Sequence, residues 1–393
     1  MVQLYGYDAN LDLSRQVQNM PCVSTALIIG GGIAGLSSAI ALSRIGVACE
    51  VVEKNNPKEG ASIGLTGQVV NALDELGLYD LVYNAGHPFH HDSGAASLRD
   101  STGKLLSAFP KPTNTDAKLG VGIYRPVLID LMTDVAVGLG VKITPGATFT
   151  KIDNGSNGVT VSLTTGEQRT YDILLGADGI ASETRRVLFP DAPEPSYSGQ
   201  WSIRWMAPGP PVEPESWYSS PVGRMGFYSL PEGIVYCPSV FNVPDDKRMT
   251  DKDVHDLFRS LLDSMTAPAI VELRSRLKSD SVLIGRPFKW ILLPDPWYSN
   301  RALLVGDAAH ATTAHLGMGG GMAIEDAVVL AQCIKVANTV EDAFKTFMTR
   351  RFERVALVVN TSVTLSNLEQ EDAPPAETMA VIGKARAAIS GPY

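Results

Sequence analysis

The chain has 393 residues, with 33 basic and 42 acidic side chains and a formal net charge of −9. That length suits two or three domains of ~150 residues, the acidic balance excludes a general nucleic-acid binder, and 45% hydrophobic with 19% charged residues excludes disorder as the dominant state. Cys22, Cys49, Cys237 and Cys333 are scattered without a C-x-x-C pair, which predicts reduced thiols in a cytoplasmic protein. The segment 1–24 is a polar arm without the apolar run of a secretory signal. Ala26–Leu42 is the most apolar stretch, but glycines interrupt it and it is shorter than the ~20 residues of a spanning helix, so no membrane span is expected.

In chain order, Thr25–Ile29 is a short apolar run predicting a buried strand. Ile33–Arg44 predicts a helix and Val47–Glu53 the next strand. Such a unit implies a parallel pair with a right-handed crossover. Val69–Leu81 has helical spacing and ends near Gly77. Pro126–Leu139 predicts a helix with its proline early, where a missing N–H is harmless. Thr148–Ile152, Val159–Leu163 and Gln168–Tyr171 alternate between Asn-Gly and Thr-Gly pairs, the signature of a β-meander. Asp172–Ala177 predicts another buried strand. Between about 190 and 245, prolines and aromatics are dense and short strands fit. Thr250–Lys278 is expected to be helical, Ala302–Val305 a strand, and Glu325–Ala337 and Val340–Val359 long helices. The tail after Leu368 is charged and proline-bearing and is expected to be loose.

Gly30-Gly31-Gly32-Ile33-Ala34-Gly35 matches G-x-G-x-x-G between a predicted strand and helix. Gly30 allows the tight turn, Gly32 a close approach to a pyrophosphate, and Gly35 close packing of helix on strand. Phosphates at that helix start meet free N–H groups and the favourable end of the helix dipole. Glu53, next to Lys54, closes the second strand, where a carboxylate accepts from ribose hydroxyls. An acidic strand end fits NAD or FAD and disfavours a 2′-phosphate.

Two further segments, Leu174–Arg185 (LLGADGIASETR) and Arg301–Ala327 (RALLVGDAAHATTAHLGMGGGMAIEDA), follow in order. With the fingerprint, Asp178-Gly179 and Gly306-Asp307 before Ala308-Ala309-His310, the chain resembles the single-component FAD-dependent aromatic hydroxylases of the p-hydroxybenzoate and salicylate hydroxylase type, from about 24 to 365. The resemblance implies an α/β fold. A discontinuous Rossmann-like FAD-binding domain of the glutathione-reductase-2 (GR2) type (25–75, 110–190 and 285–335) would carry an inserted mixed β-sheet substrate domain (76–109 and 191–284), with C-terminal helix and tail at 336–393.

It also implies cofactor residues. Asp307 follows a buried strand, in reach of ribityl hydroxyls. Gly317, Gly319, Gly320 and Gly321 lead into a second helix start suited to the flavin's polar edge. Arg125 matches an arginine lying along FAD, and Gly64 a loop lining the isoalloxazine. The Asp178 motif is linked to both FAD and NAD(P)H, and no second nucleotide fold is evident. Where the family usually has proline after the Gly-Asp motif, this chain has Ala314; Ala314 and His315 are candidate substrate-side residues, His315 either facing the flavin or being an ordinary hydrogen-bonded loop histidine.

Alternation along Gln200–Met206 puts Trp201, Ile203 and Trp205 on one face and Ser202, Arg204 and Met206 on the other. Arg204 either faces the cavity, where it pairs with a carboxylate, phenolate or ring carbonyl, or makes a surface salt bridge. Met225, Phe227 and Tyr236 are candidate substrate walls, with core packing the alternative. A G-x-S-x-G match at Gly60–Gly64 lacks the strand a nucleophile elbow needs. His87, His90, His91 and Asp92 are read as a solvated loop rather than a metal site.

The resemblance thus implies an NAD(P)H- and O₂-dependent FAD monooxygenase. It would hydroxylate a small aromatic or heteroaromatic substrate through a flavin C4a-hydroperoxide. The alternatives are a dehydrogenase or reductase of the same fold, or a non-enzymatic flavin or NADH sensor.

Overall fold

The central element is a six-stranded sheet in the computed structural model, which describes residues 21–55, 60–89, 97–108, 118–246 and 248–393. Its order is Tyr298–Ser299, Ala302–Leu304, Ile173–Gly176, Thr25–Ile29, Ala48–Glu53, Lys142–Pro145. All pairs are parallel except the edge pair of Tyr298–Ser299 with Ala302–Leu304. The inner strands are covered on both sides, so they read as unbroken apolar runs instead of alternating. Ala26 and Ile28 pack under the helices Ile33–Arg44, Arg125–Gly138 and Gly319–Val336. Leu27 and Ile29 pack against Val159, Val161 and Leu163. Those three belong to the expected meander, Phe149–Asn154, Val159–Leu163 and Gln168–Tyr171.

The larger mixed sheet runs in the order Leu283–Trp290, Ser196–Pro208, Ile234–Asn242, Gly223–Gly226, Trp217–Ser220, Ser97–Arg99, Leu105–Ala108, with Tyr228–Leu230 paired to Ile234–Asn242. Helices Asp251–Asp263 and Pro268–Arg276 cover one of its faces. Trp201, Ile203 and Trp205 lie there with Phe258, Leu261 and Leu273, and Trp205 meets Phe258 edge-on at 5.9 Å. The single helix expected over 250–278 is therefore two. Pro268 cannot continue a helix but starts one well. The first of the pair begins with a capping box between Thr250 and Asp253.

A third sheet, Ser62–Leu65, Val121–Tyr124 and His87–Pro88, lies against the start of Gly319–Val336 and against Tyr228–Leu230. It thus links that helix start to the mixed sheet. Helix Tyr79–Ala85 packs in the main core through Tyr79 and Val82, while strand Leu283–Trp290 belongs to the mixed sheet.

The expectation of a loose tail is corrected. Helix Val340–Gln370 continues past Leu368, and Pro375–Ala388 is a further helix. Ala385 and Ile389 are buried in the main core. A proline at the second helix's first turn starts it, and apolar burial offsets the charged composition. Among the described residues no helix is long and apolar enough to cross a membrane.

The first crossover depends on two close approaches. Gly30 has φ +110°, and a methyl group built on Gly35 would sit 1.8 Å from the Gly30 carbonyl oxygen. Gly35→Ala should therefore prise the helix from the sheet and lower stability by roughly 1–3 kcal/mol or more, read as a lower urea midpoint of the apoprotein.

Candidate active site

Three turns leave the same edge of the parallel sheet. Gly30 follows Thr25–Ile29, Asp178 follows Ile173–Gly176, and Asp307 follows Ala302–Leu304. This is where ligands bind in open α/β sheets. The turns touch: a methyl group on Gly30 would meet the Ala177 carbonyl oxygen at 2.3 Å, and one on Gly306 would meet Ala34 Cβ at 2.7 Å. Arg185 ties two of them together by donating to the carbonyls of Ala308 (2.9 Å) and Ile180 (2.7 Å).

Gly32 is the N-cap of Ile33–Arg44 with no side chain capping it and open space before it. The helix start thus presents unclaimed N–H groups to that space. Glu53 accepts from the N–H of Gly31 (2.6 Å) and of Asn55 (2.7 Å), so its carboxylate borders the same turn. Lys54 is exposed beyond it. Asp178 is used differently. Its carboxylate accepts from Thr184 N–H and Oγ1, each 2.9 Å, and from Ser182 Oγ, so it organises its own turn.

Asp307 opens the short helix Asp307–His310, whose other residues are buried, yet its own side chain is exposed to the cleft. The charges of His310 and Arg125 both act on its carboxylate. Arg125 begins helix Arg125–Gly138, and its N–H donates to Ala61 at 3.1 Å. The two sequence candidates therefore share one cleft. Gly319, Gly320 and Gly321 form the first turn of Gly319–Val336, again with no capping side chain. A methyl group on Gly320 would strike Ile63 Cδ1 at 2.5 Å, which brings this turn against the strand carrying Gly64. Gly317, at φ +66°, turns the chain into it. Two uncapped helix starts joined by a cleft with an exposed Asp307 fit an elongated dinucleotide with anionic phosphates.

A buried charge network, absent from the sequence reading, holds the Gly-Asp turn. Asp326 Oδ2 accepts from Gly306 N–H (3.1 Å) and lies 2.6 Å from His310 Nε2. Arg351 Nε donates to Asp326 Oδ1 (2.8 Å) and its Nη1 to Glu325 Oε2 (2.8 Å). Arg354 donates to both Glu325 oxygens at 2.8 and 3.0 Å. Glu325, Asp326 and Arg351 are fully buried. Burial alone would raise the Asp326 carboxyl; His310 and Arg351 outweigh it and hold it at about 2. The usable sequence signal was an acidic pair inside an apolar helix, which requires buried cations.

The mixed sheet's face away from helices Asp251–Asp263 and Pro268–Arg276 supplies the other wall. Arg204, Met206 and Tyr236 share it, Met206 lying opposite Tyr236 across the strands. Arg204 acts electrostatically on the Tyr236 phenol, which places it over this face and not in a surface pair; burial pushes the phenol up to about 12. Tyr236 meets Tyr228 at 5.3 Å, and Tyr228 meets Phe89 at 5.2 Å, both edge-on. Tyr228 donates to Ser62 Oγ (2.8 Å), which donates to the Ile123 carbonyl. A methyl group on Gly122 would strike Tyr228 at 2.5 Å, so the small sheet admits these rings only because Gly122 lacks a side chain. Tyr228, Phe89 and Gly122 were missed because no spacing connects them.

Met225 and Phe227 are placed elsewhere. Both lie in the helix-backed core, where Phe227 stacks on Tyr218 at 5.6 Å. Met225 pairs with Ser239, which is opposite Ile203, and this register turns it away from Arg204. Core packing accounts for both. Ala314 is exposed, whereas the His315 ring is buried, 2.8 Å from Thr313 Oγ1 and 3.2 Å from Glu369. Among the described residues no three His, Cys, Asp or Glu side chains could hold a metal; His90, His91 and Asp92 lie outside the described residues.

Because the Asp326 carboxyl is held below its ordinary 3.8, its stabilisation is present above that value and is lost as pH falls through about 2. Acid titration followed by tryptophan fluorescence should show this loss, with Trp297 reporting from 4.9 Å off the His310 ring. Asp326→Asn should flatten that acid limb while lowering neutral-pH stability by about 3–5 kcal/mol, since Arg351 loses a buried partner.

The family described as FAD binding domain matches residues 23–362. The aurachin C monooxygenase/isomerase of Stigmatella aurantiaca is 30% identical over 356 residues, 88% of this chain and 90% of that protein. The FAD-dependent urate hydroxylase of Klebsiella oxytoca is 27% identical over 353 residues, 84% of this chain and 86% of that protein. Among solved structures, Klebsiella pneumoniae HpxO complexed with FAD and uric acid has a TM-score of 0.81 at 23% identity, covering 94% of this chain and 97% of that one, a likeness of fold. On the family match and the 30% identity, this chain belongs to the FAD-binding-domain family of FAD-dependent monooxygenases.

Proposed function

We propose that this monooxygenase hydroxylates a small, planar aromatic or heteroaromatic substrate held between the cofactor and the mixed sheet, with NAD(P)H as electron donor and O₂ as oxygen source. The observation that carries this reading is Arg204 beside Tyr236 on the sheet face turned away from helices Asp251–Asp263 and Pro268–Arg276, opposite the small sheet of Gly64 and Gly122. A relative named for urate hydroxylation supports a heteroaromatic ring.

FAD, when bound, supplies the electron transfer and the oxygen activation; this chain supplies position and environment. The free N–H groups at Gly32 and Ile33 would meet the pyrophosphate, with Ala34 and Gly35 completing the turn. Glu53 would accept from the adenosine ribose, and Asp307 with Arg125 would lie along the middle of the cofactor. The amides of Gly319, Gly320 and Gly321, with Gly64 opposite, would hold the polar end of the ring system.

Arg204 presents a fixed cation to the substrate's electron-rich edge, whether carboxylate, phenolate or ring carbonyl. Tyr236 lies beside that guanidinium. Burial pushes the Tyr228 phenol up as well, so both tyrosines stay neutral at ordinary pH and act as donors, not bases. The Phe89–Tyr228–Tyr236 rings form an apolar wall that excludes water from the reacting edge. No side chain is required as nucleophile.

The protein should purify yellow or bind added FAD, and should oxidise NADH or NADPH faster when its aromatic substrate is present. The product should gain about 16 Da; a loss of two hydrogens, or a folded protein that takes up no FAD, overturns the reading. Arg204→Met should lower kcat/KM roughly 100-fold, measured by steady-state kinetics, with FAD affinity unchanged.

A further inference from the structure

The loop Ala311–Gly317 joins the Gly-Asp turn to the glycine turn at Gly319–Gly321. Its start is fixed by backbone: Ile291 N–H donates to the Ala311 carbonyl at 2.9 Å. Its end closes with Gly317 N–H donating to the Ala314 carbonyl at 3.0 Å. Between them Ala314 is exposed, and alanine leaves φ unrestrained where a proline would fix it.

One buried side chain reaches out of this stretch to distant elements. The His315 ring is 1% exposed, packs on Phe288 at 5.5 Å, and places Nε2 3.2 Å from Glu369 Oε2. Those two atoms are out of line for a hydrogen bond, so the carboxylate packs against the ring's dipolar edge. Glu369 stands in the last turn of Val340–Gln370, and its Oε1 lies 2.5 Å from Arg224 Nη2. Arg224 is on the same face of the mixed sheet as Arg204 and stacks over Trp217 at 5.1 Å. Ser366 donates to Gln200 Oε1 (2.6 Å) and Gln370 to the Ser198 carbonyl (2.9 Å), which fastens the same helix end to the sheet. Three segments far apart in sequence thus meet at one carboxylate.

We infer that Glu369 is a positioning residue: through His315, and braced by Arg224, it holds the Ala311–Gly317 loop at the flavin in the place of a backbone restraint at Ala314. This rests on the reading that the loop fronts the cofactor. Burial acts to raise the Glu369 carboxyl, but Arg224 and then His315 outweigh it, so it remains an anion. Burial pushes the His315 imidazole down despite Glu369. The anchor is therefore a carboxylate between a cation and a neutral ring, and its loss frees the loop without breaking either sheet.

The experiment compares Glu369→Gln, Ala314→Pro, the double variant and the parent. Two quantities are read: FAD dissociation constant by flavin fluorescence, and amide hydrogen exchange across Ala311–Gly317. Glu369→Gln should speed loop exchange and weaken FAD binding roughly tenfold. Adding Ala314→Pro should return both to within about twofold of the parent, because proline supplies the missing restraint. Exchange and affinity unchanged in Glu369→Gln, or no rescue by the proline, would overturn the proposal. If Glu369→Gln does not fold, His315→Gln removes the loop's end of the anchor and leaves the Glu369–Arg224 pair intact. It should loosen the loop in the same way, and an unaltered loop there refutes the inference. A parent protein that binds no FAD sinks the functional reading alone, since loop exchange in the apoprotein still decides the positioning role.

Discussion

Everything at the cofactor cleft depends on the Asp326 carboxylate. It fixes the Gly306 N–H from below while Arg351 and His310 hold it from the sides. The turn above it carries Asp307, the one exposed side chain of that short helix. Buried ions are costly to desolvate, so a network of this kind contributes little net stability over an apolar core. What it contributes is orientation: the turn has one geometry in which every buried charge is satisfied. Arg354 and Glu325 extend the network toward the C-terminal segment, where Arg354 also donates to the Gly391 carbonyl at 3.3 Å.

The rest of the architecture positions surfaces around that turn. Parallel strands end at one edge, so three turns distant in sequence arrive together, and two helix starts face the same cleft without capping side chains. The mixed sheet has unlike faces for a simple reason. Trp201, Ile203 and Trp205 are covered by two helices, and alternation leaves Arg204 and Met206 on the other side. A strand that buries large apolar residues on one face is free to carry a cation on the other.

Much of this was legible in the chain. Thr25–Ile29 and Ile33–Arg44 fall where the apolar run and glycine turn placed them, because local stereochemistry and burial agree there. The meander was legible from alternation and its turn pairs. Contacts between distant segments were not. Tyr228 against Gly122, Arg351 beneath Asp326 and Glu369 beside His315 each join residues with no common period. Phe227 and Met225 misled because aromatic and apolar residues on a strand have the same signature whichever face is core.

Sequence alone determined the class of ligand: glycines that permit a tight turn, an acid at a strand end and a helix start are local requirements of binding a dinucleotide. It also determined the order of the elements, since 3.6- and 2-residue periods are written along the chain. Only the tertiary structure decided which face of the mixed sheet the two helices cover, that the C-terminal segment packs as a helix, and which buried charges pair. Those outcomes depend on what covers each surface, and the covering residues lie tens to hundreds of positions away, where no local period reaches.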